Sequence, residues 1–358
     1  MRASMRAVRA AADGSVDVVE MGIPTAGPGE AVMRLSAAGI CGSDLLPWYV
    51  RRKAGTVLGH EVAGQIVSVG EGVADFAPGD RIVPHHHAPC LECAACRAGR
   101  FVHCPVWRAS RLDPGGMAEW VRVPAGNLSR DTLRIPEGVS DEAACWTEPL
   151  ATVLKAFARG RFSAGQSALV IGLGSAGQLA VRVAVLRGAS RIVAADRIAS
   201  RMAISRASGA HETIDVSSEG LADGARRASQ SRGFDFVFVG PGEPGVIRAA
   251  AESVAAGGTL LLFTMAAPEE TLTLSPHDLY FREVSLIPSY SCGPDDTRAA
   301  LDLIASRRIA VDDLVTHRFP IEQAAEAFAR ARRPEGSVKV LITGTRGPGI
   351  GNRESGNE

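Results

Sequence analysis

Cys90, Cys93, Cys96 and Cys104 stand in the pattern C-x2-C-x2-C-x7-C. Four thiolates so close in sequence suit a closed tetrahedral zinc site, and a filled shell leaves no position for substrate, so its role is structural. A second set is dispersed: Cys41 in Gly39-Ile40-Cys41-Gly42-Ser43-Asp44, His60 and Glu61 after Gly59, and Glu148 before Pro149-Leu150. One thiolate, one imidazole and carboxylates can hold zinc with a position left open for water or substrate. Spacing alone leaves the plainer reading beside it, a buried Cys and a structural His–Glu pair. A third signal is Gly172-Leu173-Gly174-Ser175-Ala176-Gly177. It follows an apolar run and opens a helical stretch, the context in which G-x-G-x-x-G cradles a dinucleotide pyrophosphate at a helix N-terminus. Asp196 lies 19 residues past Gly177. A carboxylate there accepts hydrogen bonds from ribose hydroxyls and repels a 2′-phosphate, which favours NAD over NADP; Arg197 is the neighbour that could accommodate that phosphate.

The elements that must position these groups fall into three zones. Val16–Met21, Ala31–Ala37, Gly64–Val69 and Arg81–Pro84 read as short strands separated by Gly/Pro turns. Ala168–Gly172, Arg191–Asp196, Phe234–Gly240 and Thr259–Thr264 read as strands alternating with helices such as Ala176–Arg187. That alternation is the signature of a parallel sheet with crossover helices. Helices over Thr297–Ser306 and Ile321–Arg333, a strand over Val338–Thr343 and a frayed Gly-, Asn- and charge-rich tail complete the chain. The predicted domains are a β-rich catalytic domain with the zinc lobe over 1–152, a nucleotide-binding domain over 153–295, and a return to the first domain over 296–358.

Composition narrows the function. At 358 residues, 46% hydrophobic and 22% charged, the chain is that of a globular protein of two domains. Lys+Arg and Asp+Glu are both 39, so the excess positive charge of a nucleic-acid binder is missing. Thirty-six of the basic residues are Arg. Their scatter, balanced by acids, favours coding bias over a phosphate-binding face. No run reaches the ~18 apolar residues of a membrane helix, and the N-terminus lacks a signal-peptide core. Clustered rather than dispersed cysteines point to reduced thiolates in the cytoplasm. The true start is open between Met1 and Met5.

Taken together, these residues resemble the zinc-containing medium-chain dehydrogenases. The most specific stretch is Gly59-His60-Glu61-Val62-Ala63-Gly64 with Gly70 and Val73, followed by Pro78-Gly79-Asp80-Arg81-Ile82-Val83 and the four-Cys lobe. Cys41-Gly42-Ser43-Asp44 and Glu148-Pro149-Leu150 look more like the sorbitol and threonine dehydrogenase branch than the liver alcohol dehydrogenases. The resemblance implies an α/β protein, a Rossmann doubly wound parallel sheet domain plus a GroES-like β-rich catalytic domain, with the ligand cleft between them. It implies that Cys41 and His60 bind a catalytic zinc, with Glu61 and Glu148 completing its shell directly or through water. Asp44 then orients His60, Ser43 contacts the substrate hydroxyl and relays its proton, and Lys339 reaches the cofactor pyrophosphate. Gly172, Gly174, Gly177 and Asp196 bind NAD, and the zinc acts as a Lewis acid for hydride transfer between a secondary alcohol and the nicotinamide.

One departure matters. The His that ends the proton relay in many members is replaced by Leu46. His87, close before Cys90, is the proposed relay or substrate contact; a solvated loop over His85, His86 and His87 is the alternative. Trp48, Tyr49 and Tyr290 are candidate pocket walls, and Cys145 and Cys292 are expected to be small buried hydrophobes. The expected substrate is a polyol, sugar, cyclitol or aminocyclitol, with a homodimer or homotetramer as the assembly and neither nucleic acid nor membrane as partner. Rival readings are a threonine-type amino-alcohol dehydrogenase, a C=C or C=N reductase with structural zinc only, and a non-enzymatic NAD-binding relative.

Overall fold

A computed structural model describes residues 4–344. The expected frayed tail beyond Gly344 and the alternative start at Met1 lie outside the described residues. Fifteen strands make up the sheets: β1 (Ser4–Ala10), β2 (Val16–Gly22), β3 (Ala31–Gly39), β4 (Glu61–Val69), β5 (Arg81–Pro84), β6 (Trp120–Val123), β7 (Thr132–Arg134), β8 (Ser167–Ile171), β9 (Arg191–Asp196), β10 (Glu212–Asp215), β11 (Phe234–Val239), β12 (Val254–Leu262), β13 (Ser285–Pro288), β14 (Val315–Pro320) and β15 (Lys339–Thr343).

Strands β8 to β13 form one wholly parallel sheet in the order β10-β9-β8-β11-β12-β13. This is the doubly wound order, in which the chain runs outward from β8 in one direction and returns to β11 in the other. Ligands bind at that switch point, beyond the carboxyl ends of the strands. The central strands β8, β9 and β11 are buried apolar runs because helices cover both faces. A second sheet runs β14-β15-β3-β4-β5-β7, with β6 also paired to β3, and β1 and β2 form a separate hairpin. The C-terminal β14 and β15 thus return to the sheet begun near the N-terminus. The structure is an α/β protein with a Rossmann-type sheet and a second, β-rich sheet.

The helix Thr147–Arg159 joins the two sheets. Its Leu150, Val153, Leu154 and Phe157 are buried, and the Phe157 ring packs against Phe162 and Phe236 at centroid distances of 5.2 and 4.9 Å. Each such ring contributes roughly 1.5–3 kcal/mol by burial. Glu148 sits in the first turn of this core helix, so a rigid element holds it.

Candidate active site

Sheet register assembles the dispersed donors. Strands β3 and β4 are antiparallel neighbours with Gly39 opposite Glu61, so Cys41, just past the end of β3, meets His60, just before β4. Donor atoms of Cys41, His60 and Glu61 lie within 4.8 Å of one another. Gly39 is required: a Cβ there would sit 2.0 Å from Glu61 Oε2. Strand β15 pairs with the other edge of β3, Leu341 opposite Gly39, which carries Lys339 to the same place. Its buried Nζ donates to Glu61 Oε2 at 2.5 Å and to the Ile40 carbonyl at 3.4 Å.

This corrects the expectation that Lys339 reaches the cofactor phosphates. A fully buried ammonium needs a compensating charge, and Glu61 supplies it. Burial lowers the Lys339 pKa, but Glu61 and Cys41 outweigh that and hold it above the usual lysine range.

Asp44 is fully buried, and neither carboxylate oxygen has a hydrogen bond. It faces His60 Nδ1 and Lys53 Nζ, both at 3.6 Å. Ser43 Oγ donates to Cys41 Sγ at 3.3 Å. Burial first, then Glu61, Asp44 and Glu148, push the Cys41 thiol well above its ordinary range. A thiol, an imidazole and a carboxylate with donor atoms gathered this closely fit a divalent cation, which would hold the sulfur as thiolate.

Glu148 is not part of that tight triad. Its donor oxygen groups within 4.8 Å of His85 and Cys292. Burial raises its carboxyl to about 7, with His60 opposing and Glu61 reinforcing.

The three histidines follow the end of β5, where the chain bends at His86 and gives each ring a different partner. His85 is buried, with Nδ1 2.6 Å from Asp131 Oδ2 and Nε2 3.6 Å from Cys292 Sγ; Thr297 Oγ1 donates to the other Asp131 oxygen at 2.6 Å. The His86 ring lies 5.0 Å from that of His60, with an unpartnered Nδ1. His87 lines the cleft, but its Nδ1 is committed to the Ser110 carbonyl at 2.7 Å and its ring packs on Trp107. Burial, then His85, push its pKa down to about 3. His87 therefore stays neutral, and the histidine beside the metal donors is His86, which spacing did not single out. Three successive histidines at a strand end were the available signal. The solvated-loop alternative does not hold: none of the three is exposed. Cys145 and Cys292 are both buried.

The four-Cys lobe closes on itself. Sγ–Sγ distances are 3.6 Å for Cys93–Cys96, 3.6 Å for Cys90–Cys104 and 3.9 Å for Cys90–Cys96. Four Zn–S bonds of ~2.3 Å in a tetrahedron place sulfurs ~3.8 Å apart. Burial raises Cys104, but the backbone N–H groups of Cys90 and Trp107 bring it down to about 6; burial lifts Cys96 to about 12.

The cofactor motif follows β8 at the switch point. Gly172 turns with φ +82°, and a Cβ on Gly177 would lie 1.9 Å from the Gly172 carbonyl oxygen, whereas a Cβ on Gly174 would meet open space. That opening is where a pyrophosphate fits. Asp196 Oδ2 accepts from Leu173 N at 2.6 Å, and Oδ1 from Arg197 N and Ile198 N at 2.7 and 2.9 Å. Arg197 also lines the cleft. Cys41, Ser43, His60, Glu148, Gly174 and Asp196 all face this one cleft of about 1990 Å³. Tyr49 and Tyr290 wall it; Trp48 does not.

Comparison with known proteins agrees with this geometry. The alcohol dehydrogenase GroES-like domain family matches residues 27–136 and the zinc-binding dehydrogenase family residues 176–306. Sorbitol dehydrogenase of Gallus gallus is 31% identical over 331 residues, covering 89% of this chain and 91% of its own. The chain belongs to the zinc-containing medium-chain dehydrogenase family. Among solved members, an alcohol dehydrogenase of Thermus sp. ATN1 superposes with TM-score 0.83 at 29% identity, covering 95% of this chain and all of its own. A zinc-binding dehydrogenase of Sinorhizobium meliloti 1021, solved with NADP, gives 0.84 at 28%, covering 96% and 100%. As in the sequence, no helix among the described residues is long and apolar enough to cross a membrane.

Proposed function

We propose that this member is an NAD-linked, zinc-dependent dehydrogenase that interconverts a secondary alcohol of the polyol or cyclitol class and its ketone. The observation that carries the reading is that the Cys41–His60–Glu61 donors open onto the same cleft as the Gly172–Gly177 turn. The match to sorbitol dehydrogenase supports the polyol class, and Asp196 supports NAD. When bound at these two places, zinc supplies Lewis acidity toward an alcohol oxygen and the nicotinamide accepts the hydride.

The chain's own groups do the rest. Lys339 fixes Glu61 through a hydrogen bond, and the Asp44 carboxylate, 3.6 Å behind His60 Nδ1, acts on that ring by charge. Ser43 Oγ, which donates to Cys41 Sγ, can accept a hydrogen bond from a substrate hydroxyl and, as it takes up that proton, pass its own to an onward acceptor. Leu46 offers no onward acceptor, and the unpartnered His86 Nδ1 beside His60 is the group placed to supply one. The carboxylate of Asp196 disfavours a 2′-phosphate. We also read the exposed edge strand β13, with Tyr280, Phe281 and Leu286 exposed near it, as the surface through which copies associate.

The test is zinc content by mass spectrometry for the wild type and Cys41→Ser, together with NAD reduction across a polyol panel. Two zincs per chain falling to one in the variant, with loss of alcohol oxidation, is expected. One zinc in both would reduce the metal chemistry to the four-Cys lobe and overturn the mechanism.

A further inference from the structure

The acids lining the cleft are Glu61 and Glu148 at the metal donors, and Asp196 and Glu243 beside the cofactor turn. Of its cations, Lys339 pairs with Glu61, and Arg197 and Arg201 stand by Asp196, whereas the substrate end carries Arg52, Lys53, Arg108 and Arg111 with no lining acid beside them. Lys53 is engaged with Asp44 and lies over the Tyr49 ring at 4.2 Å. The three arginines are exposed at the cleft mouth and, among the described residues, have no carboxylate partner. Arg108 touches only the Val102 carbonyl at 3.2 Å and His103 Nδ1 at 3.4 Å, and Arg111 only the Arg108 carbonyl at 3.5 Å. These contacts leave guanidinium N–H groups free.

A ladder of rings joins this cationic end to the metal donors. Centroids step from His60 to His86 at 5.0 Å, to His87 at 4.1 Å, to Trp107 at 4.0 Å and to Tyr290 at 5.8 Å. Arg108 adjoins Trp107 in sequence and acts electrostatically on Tyr290; Arg111 does so on His87. Trp107 is buried behind His87 and Tyr290, and a polyol lying in the cleft past those two rings, its reacting hydroxyl at the metal donors, would direct its far end toward the arginines. The cofactor phosphates have their own cradle at Gly172–Gly177, so these guanidinium groups are not needed there.

We propose that the substrate is an anionic polyol, a secondary alcohol whose distal oxyanion group, phosphate monoester or carboxylate, is held by Arg108 and Arg111 with Arg52. The planar, permanently charged guanidinium matches both groups through paired N–H donors. This inference rests on the dehydrogenase reading and narrows its substrate class.

The experiment compares kcat/KM of the zinc-loaded protein with NAD for D-sorbitol, D-sorbitol 6-phosphate and D-gluconate at low ionic strength. A preference of about 10- to 100-fold for an anionic member is expected from one or two charge-assisted contacts. That ratio should collapse in R108A/R111A, recover in part in R108K/R111K, and shrink with added KCl. The anion that gains shows whether the group is phosphate or carboxylate. Equal or better use of D-sorbitol, or an unchanged ratio in R108A/R111A, overturns the inference while leaving the dehydrogenase reading standing. If no alcohol reduces NAD or NADP, that reading falls. Calorimetric binding of D-sorbitol 6-phosphate and D-gluconate against D-sorbitol to the NADH complex then decides the inference by itself: tighter binding of an anion supports it and equal binding ends it.

Discussion

Lys339→Met separates a lysine that holds the metal site from one that holds the cofactor. Both partners of the Lys339–Glu61 pair are 2% exposed, with 2.5 Å between Nζ and Oε2. Removing one member of a buried pair leaves the other as an uncompensated charge, at a cost of about 3–5 kcal/mol. Over roughly 340 ordered residues, an unfolding entropy near 2.1 cal/mol/K per residue gives about 0.7 kcal/mol per degree, so the melting temperature should fall by about 4–7 °C. The double variant Lys339→Met/Glu61→Gln removes both charges and should recover most of the loss. Because the folded-state pKa of Lys339 is raised, its contribution is complete below the unfolded value near 10.4 and is lost only as pH climbs through the folded one. The drop should therefore be the same at pH 6 and pH 9. Scanning calorimetry of the metal-free protein measures it, with zinc affinity and the KM for NAD measured alongside. Zinc affinity should change and the NAD KM should not. A melting shift under about 1 °C, or a KM for NAD that rises while zinc affinity holds, would refute the assignment of Lys339 to Glu61.

In metal-free protein, burial holds the Glu148 carboxyl near 7, above its unfolded value of ~4.3. The neutral form's stabilising contribution is then present below pH ~4 and lost as pH rises through 7, so Glu148→Gln should stabilise metal-free protein more at pH 8 than at pH 5; a pH-independent difference in melting temperature would count against it. Asp196→Ser should lower the NAD-over-NADP ratio of kcat/KM by at least about tenfold, the value of one charge contact. An unchanged ratio would mean that Arg197, not Asp196, sets the preference.

Legibility followed the range of the interaction. The four-Cys lobe and the Gly172–Gly177 turn are local, since each is held by residues close in sequence whose spacing states the geometry. Four strands of the parallel sheet were legible for the same reason, each an apolar run bounded by its own helix, whereas the short strands β10 and β13 were not read and the doubly wound order came with the family resemblance. The set Cys41, His60, Glu61 and Glu148 was weak by spacing, because the register of β3 against β4 brings the first three together, and only the family resemblance supplied it. Lys339 was placed at the cofactor because its strand was readable but its edge partner was not. Pairing of β15 with β3, rather than anything near residue 339, turns the ammonium toward Glu61.

The histidines and arginines show the same limit from the other side. His85, His86 and His87 are adjacent, so no spacing distinguishes them, yet the bend after β5 sends them to Asp131, His60 and Trp107 respectively. Arginine abundance reads as uniform along the chain because charge was counted by position. Folding sorts those positions: some guanidinium groups, such as those of Arg81, Arg182 and Arg227, pair with carboxylates, while Arg52, Arg108 and Arg111 face a cleft whose acids are assigned to metal or cofactor. A residue type too common to be a signal becomes one once its partners are accounted for. Zero net charge argues against a polyanion spread over the whole surface; it says nothing against a single oxyanion bound in one pocket.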